Sequence, residues 1–316
     1  MQASVVVSLV VPFYNEGEGV EAFFESIGPT LAGIPDVSFE IVCIDDGSKD
    51  DTLARLLAAG RTDPRIKVIE LSRNFGKEAA LTAGLDAAAG DAVIPMDADL
   101  QDPPELIGPM IEKWRQGSDV VLARRVDRRS DSLTKRSSAN LFYKIHNRVS
   151  NVDIPSNVGD FRLMNRASVN ALKQLPERQR FMKGMFAWVG FRTQTIDYVR
   201  PTRATGTTKF TGWKLWNFAL EGFTSFSSAP LRIWTYVGGV STLLTLVYLL
   251  FIVTRTLIFG IDVPGYASLL TTILFFGSLQ LLSVGILGEY IGRIYTESKQ
   301  RPIYVVRQVY ENSRES

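Results

Sequence analysis

The chain is short of the residues that staple small domains and of those that build the commonest metal centres. Its 316 residues include one cysteine and one histidine. Cys43 alone cannot form an internal disulfide, which fits a reducing compartment. It lies in an apolar, strand-like run and reads as a packed core thiol. His146, in the helical stretch 141–146, excludes multi-histidine zinc centres and reads as structural. Neither Gly-x-x-x-x-Gly-Lys-Ser/Thr nor Gly-x-Gly-x-x-Gly occurs, which argues against P-loop and dinucleotide folds. An excess of either charge is missing too. Lys plus Arg number 35 and Asp plus Glu 33, so no global electrostatic case for nucleic acid arises.

What is present is an alternation. Residues 5–12, 39–44, 66–71 and 92–96 are apolar runs of strand length, and each leads into a polar loop. Between them lie helical patterns. Val20, Phe23, Phe24, Ile27 and Leu31 share one helical face, as do Leu53, Leu56 and Leu57; residues 79–89 are rich in strong helix formers. This order predicts an α/β fold with a wound, mostly parallel sheet. In such sheets ligands bind at the carboxyl ends of the strands, where all four polar loops would meet.

The loop after the fourth run carries Asp97, Asp99 and Gln101 at alternate positions. On an extended backbone they would share one side. Three hard oxygen donors suit Mg²⁺ or Mn²⁺ shared with substrate phosphates. The other reading is an acidic loop capping the helix that Pro103 and Pro104 begin.

The segments Val-Pro-Phe-Tyr-Asn-Glu at 11–16, Asp-Asp-Gly-Ser at 45–48, Ser-Arg-Asn-Phe-Gly-Lys-Glu at 72–78 and 97–104 together resemble glycosyltransferase family 2. More narrowly, they resemble its polyprenyl-phosphate (dolichol-phosphate mannose synthase-like and bactoprenol glucosyltransferase-like) members. The resemblance covers essentially the whole chain and implies a GT-A-type fold. It implies that Pro12, Tyr14, Asn15, Glu16, Asp46, Lys77 and Asp97 bind a nucleotide sugar. Asp97, Asp99 and Gln101 would hold the Mg²⁺ or Mn²⁺. Gly-Asp-Phe-Arg at 159–162 matches a family segment that puts Asp160 near the sugar's reacting carbon, so Asp160 and Asp99 are the candidate catalytic residues. Basic residues Arg125, Lys135, Arg136, Arg203 and Lys209 would hold a lipid phosphate; Arg128 and Arg129 read as solvated. The flap at 203–210 departs from the family pattern with Thr207-Thr208, though it keeps its basic character.

The last third changes composition. Residues 233–254 and 263–288 carry no charge, and each is long enough to span a bilayer. The short link 255–262 makes them a hairpin. Lys209, Lys214 and Arg232 precede it and Arg293, Lys299, Arg301 and Arg307 follow, whereas the link has only Arg255. The positive-inside rule then puts the catalytic domain in the cytoplasm, at the inner membrane. The amino terminus reads as a strand, so no cleavable signal peptide is expected. Aromatic residues crowd 212–228, as in a helix at headgroup level. The expected organisation is a catalytic domain over 1–211, an interfacial helix over 212–231, two transmembrane helices over 232–291 and a tail over 292–316. A short strand at 301–306 could pair with a neighbouring subunit in a homo-oligomer.

The resemblance implies inverting transfer of a hexose, foremost glucose from UDP-glucose, to polyprenyl (undecaprenyl) monophosphate. GDP-mannose and UDP-linked 4-amino-arabinose derivatives are the competing donors. A processive polysaccharide synthase is a further alternative, but its Gln-x-x-Arg-Trp string is absent and two spans are few for a polymer channel. A non-enzymatic membrane adaptor would not need the acidic trio.

Overall fold

The computed structural model describes residues 5–126, 155, 157–178, 180–199, 229–259 and 265–311. The chain begins β1 (Val5–Phe13), α1 (Val20–Ala32), β2 (Val37–Asp45), α2 (Thr52–Thr62), β3 (Ile66–Leu71), α3 (Lys77–Ala87), β4 (Ala92–Pro95) and α4 (Ile107–Arg115). Next come β5 (Val120–Arg125), β6 (Val158–Asn165), α5 (Arg166–Lys173), α6 (Met182–Trp188) and β7 (Thr193–Tyr198). The helices α7 (Ala229–Phe259) and α8 (Tyr266–Ser298) follow, then β8 (Val306–Tyr310).

Among the described residues one sheet forms, in the order β7-β5-β6-β4-β1-β2-β3-β8. β1 pairs in parallel with β2 and β4, β2 with β3, and β5 with β7. β6 and β8 run against their neighbours. The continuous apolar character of β1 has a cause in its two covered faces. Val7, Leu9 and Val11 pack with Phe23 and Ile27 of α1, Leu56 of α2 and Met110 of α4. Val10, on the other face, packs with Ala80 and Leu81 of α3, Leu172 of α5 and Met185 of α6. Burying each large apolar side chain contributes about 1.5–3 kcal/mol. Cys43 is fully buried in this core. α3 rests directly on the sheet: a Cβ at Gly84 would overlap Val10 Cγ1 and Ile44 Cδ1.

β2 and β4 flank β1 on opposite sides, so the connection order reverses between β1 and β4. That reversal opens a crevice at the carboxyl ends of these strands.

Three expectations need correction. The fourth strand stops at Pro95, and the chain then turns, with Leu100 at φ 56°. Asp97, Asp99 and Gln101 therefore do not alternate along an extended segment. The buried Asp102 carboxylate accepts the Asp97 amide at 3.3 Å and draws the loop back on itself. The last strand lies at Val306–Tyr310, beyond the expected 301–306, and its partner is β3 of the same chain rather than a neighbouring subunit. Side-chain chemistry explains this: buried Glu70 accepts Arg307 at 2.8 Å and the Tyr310 hydroxyl at 2.9 Å, and Lys67 pairs with Glu311. Finally, Arg255, expected in the hairpin link, lies inside α7.

Many large apolar side chains on α7 and α8 are exposed, among them Leu250, Leu257, Phe275, Leu281 and Ile291. Among the described residues one stretch, Phe275–Ser298, is long and apolar enough to cross a membrane. The end of α8 is tied to the sheet-bearing part of the chain. Glu297 accepts the Arg178 amide at 2.9 Å, and the Tyr304 hydroxyl donates to Asp86 at 2.8 Å.

Candidate active site

The loops at the carboxyl ends of β1 to β4 are bound to one another. The loop after β1 leans on the loop after β2. The Asn15 amide donates to Ser48 Oγ at 3.0 Å, Asn15 Oδ1 accepts the Lys49 amide at 2.8 Å, and the Glu16 amide donates to Thr52 Oγ1 at 3.0 Å. Asn15 takes φ 51°, a conformation that asparagine tolerates. Pro12 is half-buried at the end of β1, and Tyr14 is exposed beside it.

The loop after β2 in turn holds the loop after β3. The buried Asp46 carboxylate accepts the Phe75 amide at 2.7 Å, the Gly76 amide at 2.9 Å and Asn74 Nδ2 at 3.0 Å. Burial pushes the Asp46 pKa up against the pull of those two amides. Gly47 makes this approach feasible: it sits at φ 64°, and a Cβ there would overlap the Arg73–Asn74 backbone. Within this chain Asp46 shapes the 74–76 loop.

That loop delivers Lys77 at the first position of α3. Its ammonium pairs with Asp97 at 2.7 Å and with Asp160 at 2.8 Å. Three separate connections, β3 to α3, the exit of β4 and the start of β6, therefore meet at one cation. Desolvation would lower the Lys77 pKa, but Asp160 and Asp97 outweigh it and raise it. Burial would raise the Asp160 pKa, yet Lys77, Lys183 and Arg162 hold it below the ordinary carboxylate value. Asp160 Oδ1 is buried with no hydrogen-bond partner. Its neighbour Glu78 is shifted the opposite way, to about 7, by burial and by the negative charge of Asp160.

Asp99 stands in the turn after β4, where its Oδ1 accepts the Gln101 amide at 3.2 Å. No group of three or more His, Cys, Asp or Glu side chains able to hold a metal forms among the described residues. The donors nevertheless suit a hard divalent cation. Mg²⁺ is commonly held by one or two carboxylates plus substrate phosphates rather than by an all-protein cage. Asp97 and Asp99, both in the stretch after β4, are the carboxylates that could hold such an ion.

Arg125 is half-buried at the end of β5, its backbone amide bonded to Asn157 O at 3.0 Å. Lys135, Arg136, Arg203 and Lys209 lie outside the described residues, as do His146, Arg128, Arg129 and the aromatic 212–228 segment. Three charged neighbours of Asp160 were not singled out from sequence: Glu78, Arg162 and Lys183. Two carried a signal. Glu78 follows Lys77 directly, and Arg162 lies two residues after Asp160 on the same strand face. Lys183 had none, because only the fold brings α6 to β6.

A mostly parallel wound sheet with polar loops gathered at one edge is the GT-A-type arrangement of sugar-nucleotide enzymes. Residues 8–173 match the family model "Glycosyl transferase family 2", and residues 229–294 match "GtrB C-terminal hairpin". The chain belongs to glycosyltransferase family 2, as an enzyme with the GtrB-type hairpin at its carboxyl end. It is 52% identical to the "Prophage bactoprenol glucosyl transferase homolog" of Escherichia coli K12, over 96% of this chain and 99% of that one. It is likewise 52% identical to the "Bactoprenol glucosyl transferase" of Shigella phage SfV, over 95% and 98%. A glucosyl-3-phosphoglycerate synthase from Mycobacterium tuberculosis, solved with Mn²⁺ and UDP-glucose, aligns at 20% identity and TM-score 0.48, over 71% and 79%.

Proposed function

We propose that the protein transfers glucose from UDP-glucose to polyprenyl monophosphate, of the undecaprenyl type, at the cytoplasmic face of the inner membrane. The observation that carries this reading is the meeting of Lys77, Asp97 and Asp160 at the crevice edge, in a chain about half identical to bactoprenol glucosyl transferases along nearly its full length.

On this reading the loops carrying Pro12, Tyr14, Asn15 and Glu16 receive the nucleoside. Asp46 acts indirectly by fixing the loop that presents Lys77. A divalent ion held by Asp97 and Asp99, with Gln101, would neutralise the departing diphosphate. In the transfer, an acceptor phosphate oxygen bonds to the anomeric carbon from the face opposite the diphosphate. The carbon–oxygen bond to the diphosphate breaks, its electron pair leaves with UDP, and the carbon is inverted. A phosphate is already anionic near pH 7, so it needs no strong general base. The low pKa of Asp160 agrees with a permanent carboxylate that positions Lys77 and stabilises positive charge at the reacting carbon. Arg125, Lys135, Arg136, Arg203 and Lys209 are the proposed cations for the lipid phosphate. The exposed apolar side chains of α7 and α8 support a bilayer location for the hairpin.

The test is a donor panel: purified full-length protein, undecaprenyl phosphate, and UDP-glucose, GDP-mannose or a UDP-4-amino-arabinose derivative, with products read by mass spectrometry. UDP-glucose should give the major glycolipid. A glycolipid formed from another donor in preference would overturn the choice of sugar.

A further inference from the structure

The chain that leaves α8 comes back to the segment that presents Lys77. Residues 299–303 lead from the end of α8 to Tyr304. The Tyr304 hydroxyl donates to the Asp86 carboxylate at 2.8 Å, and the Val305 carbonyl accepts the Ser72 amide at 2.9 Å. Ser72 opens the loop after β3, and Asp86 lies in the last turn of α3. Two consecutive tail residues thus hold both ends of the segment 72–86, with Lys77 between them. Tyr304 is half-buried against the core cluster that includes Leu71 of β3 and Ala83 of α3. Burial, reinforced by Asp86, pushes its phenol pKa up, so the hydroxyl remains a donor near neutral pH. Lys173 of α5 donates to the Asp86 carbonyl at 2.9 Å. Backbone and side chain of Asp86 are therefore held by different partners.

We propose that Tyr304 is a positioning residue for Lys77, so that the tail beyond the hairpin completes the nucleotide-sugar site. The inference rests on the transfer reading above for the task of Lys77, and adds what keeps that lysine in place. α3 is a continuous helix of 11 residues, so a shift at Asp86 is carried to its first residue, Lys77. Gly76, at φ 99°, gives the chain a pivot immediately before that residue. Asp46 fixes residues 74–76, and the tail supplies the holds at Ser72 and Asp86. The ammonium has to meet Asp97 at 2.7 Å and Asp160 at 2.8 Å together. Charge-assisted bonds of that length tolerate little displacement. Were Tyr304 only an anchor for the tail, its loss would loosen 299–311 and leave Lys77 where it is.

The experiment compares full-length wild type, Tyr304→Phe, Asp86→Ala, Lys77→Ala and the double variant of Tyr304→Phe with Lys77→Ala, all in detergent. Hydrogen exchange without ligand reads the position of the segment. Tyr304→Phe should speed exchange of the amides over 72–80 and leave those of β1 and β4 as they are. Faster exchange confined to 299–311 would overturn the proposal. Calorimetry with UDP-glucose and Mn²⁺ reads the consequence. Tyr304→Phe should weaken UDP-glucose binding roughly two- to tenfold, the range of one hydrogen bond, and Asp86→Ala should do the same. In the Lys77→Ala background Tyr304→Phe should change the Kd little further, because residues that act through one another are not additive. An equal loss in both backgrounds, or an unaltered Kd in Tyr304→Phe, would overturn the proposal. If exchange over 72–80 responds but wild type does not bind UDP-glucose, the hold of the tail on Lys77 stands and the donor reading fails.

Discussion

Lys77 and Asp160 are joined by a 2.8 Å ion pair across the gap between α3 and β6. The pair links the half of the sheet that carries the proposed nucleotide loops to the half that borders the proposed acceptor side. Lys77 also holds Asp97, so one ammonium sets the spacing of two carboxylates to which the proposed reaction gives different tasks.

Removing that ammonium should change how activity depends on pH. Burial raises the Asp160 pKa, and Lys77 is the strongest opposing influence. In Lys77→Ala the Asp160 pKa should climb, so that the carboxylate is lost at higher pH than in wild type. The acid limb of the pH profile for kcat should move upward, with partial return in Lys77→Arg. An unmoved acid limb would show that an ionised Asp160 is not required.

On the proposed reading, metal dependence rests on Asp97 and Asp99 in the loop after β4. Asp99→Ala should reduce turnover on the order of a hundredfold or more, as loss of one key charge-stabilising element often does. Excess chelator should abolish wild-type activity, and Mn²⁺ or Mg²⁺ should restore it. Undiminished turnover in chelator would remove the metal from the account.

Glu78 should leave a signature in stability. Its folded-state pKa, about 7, lies above the roughly 4.3 of an unfolded glutamate. Between those values the folded chain keeps a proton that the unfolded chain releases, so stability falls as pH rises through the window. Glu78→Gln should flatten the fall of Tm between about pH 4.3 and 7. The same slope in variant and wild type would contradict the shift.

Most of the catalytic half was legible because local pattern and global fold agree there. The runs that became β1, β2 and β3, the apolar face of α1 and the helix formers of α3 each point to one structure. The site was legible as far as local pattern reaches: Asp97 follows an apolar run, Lys77 opens a helix, and Asp160 stands in the Gly-Asp-Phe-Arg segment that enters β6. What escaped were relations between distant segments. Alternating spacing suggested an extended 97–101 loop, but the buried Asp102 carboxylate and the left-handed Leu100 bend it. The return of β8 to β3 depends on Glu70, Arg307 and Tyr310, which are far apart in sequence and show no shared pattern. Lys183 reaches Asp160 only through the packing of α6.

The orientation of the hairpin can be read chemically. Cys43 is fully buried, and a Cys43→Ser background leaves a single introduced thiol, at residue 258 or 312. In intact cells an impermeant thiol reagent should label position 258 and spare 312. Labelling at 312 with 258 protected would reverse the topology.

The central claim is that a hexose, without its phosphate, moves to a polyprenyl monophosphate. The most direct measurement is the nucleotide and lipid balance of one reaction, with UDP-glucose labelled in the sugar, undecaprenyl phosphate and the full-length enzyme. The account requires one UDP for each lipid formed, a lipid with a single phosphorus, and an anomeric carbon of inverted configuration by NMR. Release of UMP with a diphosphate-linked lipid, or retained configuration at that carbon, would contradict it.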